Sequence, residues 1–156
     1  MNLLVSDNQY ERHQKIRSLL QTDTANFAVL AAAMDFEWTI RRIFDHAQFS
    51  KPINKPPPKL SSLYTYASTW KEFFPSDKHA AMDEIPSDWK ELVSAYHLRH
   101  DIVHGRQGTV GVEYARSRVE IMISASIALT EYGRKMGFDP FRRLRKRGHL
   151  TGPTPR

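Results

Sequence analysis

The first glycine of the chain is Gly105. A 156-residue sequence that runs two thirds of its length without glycine, and nowhere contains Asn-Gly or Asp-Gly, lacks the dipeptides from which tight hairpins are built. Alternating apolar and polar runs are missing too. Helical spacing is present instead, and it predicts an all-α protein.

Residues 8–21 predict a first, polar helix. Asp23 or Thr24 is placed to cap a second, on which Phe27, Leu30, Ala31, Met34 and Trp38 form one apolar stripe. Val29, Ala33, Phe36, Ile40 and Ile43 form another. A helix apolar on two sides is expected to be packed on two sides, and so to be central. On it Glu37 and Arg41 stand four apart, close enough to pair. The segment Lys51–Lys59 ends this helix with three consecutive prolines, which favour an extended connector. A further helix is expected from Ser61 or Ser62 to Phe74, then a polar loop over 75–87. Ser87 then caps a helix whose inward series is Trp89, Leu92, Val93, Tyr96, His100 and Val103. After Gly105-Arg106-Gln107-Gly108 comes a long helix from about Val112 to Lys135, with Val119, Met122, Ile123, Ser126, Ile127 and Leu129 inward and Gly137 and Pro140 ending it. The expected fold is a bundle of four to five helices over 1–137, followed by a basic C-terminal tail over 138–156.

There is no cysteine, which excludes a disulfide framework, Cys-ligated zinc or iron–sulfur sites and thiol catalysis. The apolar run at Met1–Asp7 is too short for a secretory signal, and no stretch reaches the roughly 18 apolar residues that span a bilayer. A soluble, cytoplasmic protein with no membrane partner is expected. The net charge of +6 is unevenly spread: residues 134–156 carry +7 and the rest of the chain −1. Arg142, Arg143, Arg145, Lys146 and Arg147 are therefore candidates for binding RNA phosphates through counterion release, although a solvated end explains the same charge run.

His97, His100 and His104 fall in one predicted helix, within about 60° of one another around its axis. Three histidines on one continuous helix do not readily surround a metal, and no HExxH motif is present, so no metal and no other cofactor is expected. The same segment holds Arg99 and His104 with four residues between them. Imidazole exchanges protons near neutral pH, and guanidinium grips phosphate oxygens with paired donors, so the two suit one phosphodiester. Arg41 and His46 show the same gap. Arg99 and His104 differ in lying at the end of an amphipathic helix just before glycine, where His104 equally suits a helix C-cap.

Arg99-His100-Asp101-Ile102-Val103-His104-Gly105, closing one helix of an α-bundle, resembles the R-x(4–6)-H signature of the HEPN superfamily. The polar residue after the arginine and the Val-His-Gly ending fit as well, and the resemblance covers nearly the whole chain up to the tail. It implies a metal-independent endoribonuclease, often a toxin or a defence or stress RNase, with Arg99 and His104 as catalytic residues. His100 and Asp101 are implied as supporting groups, and Glu37 as the acidic residue of the central helix. It further implies RNA as the partner, a homodimer with a composite active site at the two-fold axis, and restraint by an antitoxin or other regulatory protein. The alternative is a non-catalytic HEPN-like nucleic-acid-binding or interaction module.

Overall fold

Alanine decides which face of the long second helix turns inward. In the computed structural model, which describes residues 8–50, 63, 65–66 and 89–137, α1 spans Gln9–Ser18, α2 Ala25–Ser50, α3 Trp89–Val103 and α4 Val112–Lys135. Among the described residues there is no strand. On α2, Ala25, Ala28, Ala32 and Ala33 are buried beside Val29, Phe36, Ile40 and Ile43. Small side chains let a neighbouring backbone approach, and α4 answers with Ala115, Ala125, Ser126 and Gly133, also buried. The α2–α4 contact is the most extensive in the bundle. Each fully buried Ile or Phe along it is worth about 1.5–3 kcal/mol relative to exposure.

The second of the two stripes expected on α2 is thus the core stripe. The first is split: Ala31 is buried and Leu30 half-buried, but Phe27 is 61% exposed and Met34 53%, with Trp38 at the boundary. Ala28, Ala32 and Ala33 share the buried face with Val29, Phe36, Ile40 and Ile43, while Phe27, Met34 and Trp38 stand on the opposite side. The same shift appears at two other helix positions. Val103 and Ile127 are exposed because the buried lines run through Leu92, Ala95 and Leu98 on α3 and through Val119, Met122, Ala125, Ser126 and Leu129 on α4. Of the helix expected over 61–74, Leu63, Thr65 and Tyr66 are described and are helical. The proline connector, the loop before Ser87, Ser87 itself and the basic tail lie outside the described residues.

The polar first helix also has a buried face, made of Arg12, His13 and Ile16. Arg12 and His13 reach one carboxylate on α2. Arg12 Nε donates to Asp35 Oδ1 at 2.9 Å, and His13 Nε2 lies 2.9 Å from Asp35 Oδ2. An ionised carboxylate only accepts, so the imidazole donates. The three side chains are 1–2% exposed. Burial pushes the Asp35 carboxyl up, but the hydrogen bonds from His13 and Arg12 outweigh it and hold the group below the usual carboxylate range. Nearer the surface, Arg17 grips Glu120 on α4 through two 2.7 Å bonds, and Gln9 donates to Thr130 at 3.0 Å. These two contacts fix α1 antiparallel to α4.

Asp35→Ala should therefore cost about 3–5 kcal/mol in denaturant unfolding, because it leaves the Arg12 guanidinium charged and buried and His13 without its acceptor, whereas Glu120→Ala at the half-exposed pair should cost no more than about 1 kcal/mol. The lowered Asp35 pKa also sets a sign. Its contribution is complete above the ordinary carboxylate pKa of about 3.9 and is lost as pH falls toward the lowered folded value. Acid titration of stability should show this loss in the wild type and not in Asp35→Asn.

Candidate functional site at the end of the third helix

The α3 helix stops in a Schellman arrangement. The Gly105 N–H donates to the Ile102 carbonyl at 3.2 Å and the Arg106 N–H to the Asp101 carbonyl at 2.8 Å, with Gly105 in the left-handed region at φ 67°. His104 is the C-cap of this motif, and its own N–H still bonds back to His100. The cap role that the sequence allowed for His104 thus holds for its backbone, while its side chain is exposed. The eight-residue connection from His104 to Gly111 is tied down at its far side. Asn26, at the start of α2, donates to the Gly108 carbonyl at 2.8 Å and accepts from the Val110 N–H at 3.1 Å.

Periodicity then sorts the side chains of the motif. His100 and His104, one turn apart, bring their ring centroids within 4.1 Å, the two planes tilted by 53°. Arg99, a residue earlier, swings to the other side and lies over the Tyr96 ring at 5.7 Å. Within one chain His104 therefore meets His100, and Arg99 meets Tyr96. Asp101 pairs with Arg106 at 3.8 Å. His97 is exposed on the same helix. Burial pushes the His100 pKa down, and the neighbouring His104 and Arg106 push the same way against Asp101, so His100 stays neutral more readily than an ordinary imidazole.

The cations of the bundle divide into two kinds. Arg17, Arg106, Arg116 and Arg118 have acidic partners, at Glu120, Asp101, Glu113 and Glu91, and Arg41 donates to the Tyr66 hydroxyl at 3.1 Å. Arg12 is committed to Asp35. Among the described residues Arg99 makes no hydrogen bond or ion pair, and the ring nitrogens of His100 and His104 have no hydrogen-bond partner. Unspent donors at a helix end are what a phosphate needs.

Glu37 is half-buried on α2 and adds to the field that raises the Arg41 pKa, but the hydrogen bond of Arg41 goes to Tyr66. The carboxylate that α2 does bury is Asp35, which sequence reasoning passed over, together with Arg12 and His13. The signal was available: Arg12 and His13 share a helical face with Ile16 and Leu20. A pocket of about 190 Å³ opens over this cluster, lined by Arg12, Met34, Asp35 and Trp38. Both Asp35 oxygens are taken by α1, and the Arg12 guanidinium also lies 4.8 Å over Trp38, so the group serves the fold. Among the described residues no three His, Cys, Asp or Glu side chains are grouped to hold a metal ion, and no helix is long and apolar enough to cross a membrane. Comparison with protein-family models, curated proteins and solved structures finds no match.

Gly105→Ala tests how far the turn positions His104. Open space surrounds the added methyl group, so the cost is backbone strain alone, about 1–2 kcal/mol. The expected result is that modest loss in unfolding experiments, with altered His104 ring resonances in NMR spectra of the folded protein.

Proposed function

We propose that this chain is a metal-independent endoribonuclease of the HEPN type, with Arg99 and His104 as its catalytic pair. The observation that carries the reading is a contrast among the described residues: the other arginines have partners, while Arg99 makes no hydrogen bond or ion pair and the two motif imidazoles keep their donors and lone pairs at an accessible helix end.

The chemistry follows from the side chains. A neutral His104 takes the proton of an RNA 2′-hydroxyl. The 2′-oxygen bonds to the adjacent phosphorus, and the bond to the 5′-oxygen breaks. Arg99 stabilises the charge that grows on the non-bridging oxygens. The leaving 5′-oxygen needs a proton from the opposite side, because attacking and leaving oxygens lie roughly in line. His100 does not meet that need: with its ring 4.1 Å from that of His104, it approaches the phosphate from the same side. A second copy does meet it, with the partner subunit's His104 as the acid, and a coupled pair of imidazoles readily holds one proton between them. This supports a homodimer with a composite site, His100 and Asp101 orienting the motif and Glu37 kept as a supporting group. Products are a 2′,3′-cyclic phosphate and a 5′-hydroxyl, and DNA is spared for want of the 2′-hydroxyl. A toxin or defence RNase of the cytoplasm, restrained by an antitoxin or regulatory protein, is the setting this activity suits.

Arg99→Ala and His104→Ala should each cut RNA cleavage by at least about a hundredfold with the fold retained, and cleavage should survive EDTA. Excess His104→Ala chains mixed with wild type should suppress activity below the wild-type fraction once subunits exchange. Strict proportionality would mean that each chain works alone. Normal cleavage by folded alanine variants would make the motif structural.

The charge run Arg142–Arg147 favours a second reading, a binding module without catalysis. Deleting residues 141–156 should flatten the salt dependence of RNA binding while leaving product chemistry unchanged. An unaltered slope would show that the tail takes no phosphates.

A further inference from the structure

His100 and His104 project from adjacent turns of α3 and bring their ring centroids within 4.1 Å. Neither imidazole has a hydrogen-bond partner among the described residues, whereas the buried His13 spends its Nε2 on Asp35. His104 is exposed and His100 partly so, and solvent reaches both. Two such imidazoles are a donor set for ions of the zinc, nickel and copper class. One ion held at about 2.0–2.1 Å from each nitrogen separates the ring centroids by roughly 4.5–5 Å. A small side-chain rotation supplies the difference. Arg106 and Arg99 add positive charge that a dication must overcome, offset in part by Asp101, with Arg106 paired to it and Arg99 turned onto Tyr96.

We propose that His100 and His104 form a two-imidazole chelate for a divalent ion of this class, water completing its shell, and that the bound ion turns the nuclease off. It does so by occupying the lone pair with which His104 accepts the 2′-hydroxyl proton. The chelate stands on the geometry alone; the switch rests on the ribonuclease reading.

Full-length protein titrated with Zn²⁺ separates these statements. Calorimetry should give one ion per chain, and the imidazole C–H resonances of His100 and His104 should move together while those of His97 stay. His100→Ala and His104→Ala should each weaken binding by at least about tenfold, because each removes half of a chelate, and His97→Ala should leave it unchanged. Undiminished affinity in either of the first two variants, or one ion shared between two chains, overturns the chelate. Cleavage of RNA at graded free Zn²⁺ should fall along the binding curve and return with EDTA. Full cleavage at saturating Zn²⁺ overturns the switch. A wild-type chain that cuts no RNA removes both the nuclease and its switch, while the binding titration still decides the chelate.

Discussion

A carboxylate with 2% of its surface in contact with solvent governs how this bundle is assembled. Removing an ionised group from water costs several kcal/mol, and Asp35 is tolerable only if donors arrive from another element to replace its hydration. They arrive on α1, a helix that brings little apolar area of its own: Ile16 is its one fully buried apolar side chain. Its place on the bundle is set by polar contacts at three levels, Gln9 on Thr130, Arg12 and His13 on Asp35, and Arg17 on Glu120. The middle level is buried and the outer two are partly exposed, so screening by solvent and salt bears on the Arg17–Glu120 end of α1 far more than on its centre.

Much of the architecture was legible from spacing. The extent of α4 from Val112 to Lys135, the break at Gly105 and the core stripe of α2 all follow from period and punctuation. Periodicity shows that a helix has two apolar faces but not which one a partner will choose, and on α2 the choice fell to the alanines, leaving Phe27 and Met34 outside. The Asp35 cluster escaped for a different reason. Its donors lie 22 and 23 residues away on a second helix, so the buried face of Arg12 and His13 could be read from spacing but their pairing with Asp35 could not. The candidate site stood out as a motif, and the backbone cap of His104 could be anticipated from the glycine that follows it. What spacing left open was the sorting of the side chains, with His104 against His100 and Arg99 against Tyr96.

The two groups of titratable residues are opposite solutions to one electrostatic problem. In the core, the carboxylate is fully matched and its partners are held in fixed geometry. At the end of α3, cationic and basic groups lie close together, with Asp101 turned to Arg106. Gathering Arg99, His100 and His104 there without an acid of their own raises the local positive potential, which favours an incoming anion and works against protonation of His100.

Asn26 links these two regions. Its amide both donates to and accepts from the turn that follows His104, and it stands nine residues before Asp35, about 13–14 Å along the same helix. The turn is therefore an extension of the rigid α2 framework rather than an independent surface loop. A strain that tilts or rotates the first turns of α2 is delivered to the backbone on both sides of Thr109. The far side of the connection that follows His104 is thus anchored to the same helix that buries Asp35, so the two regions share one support.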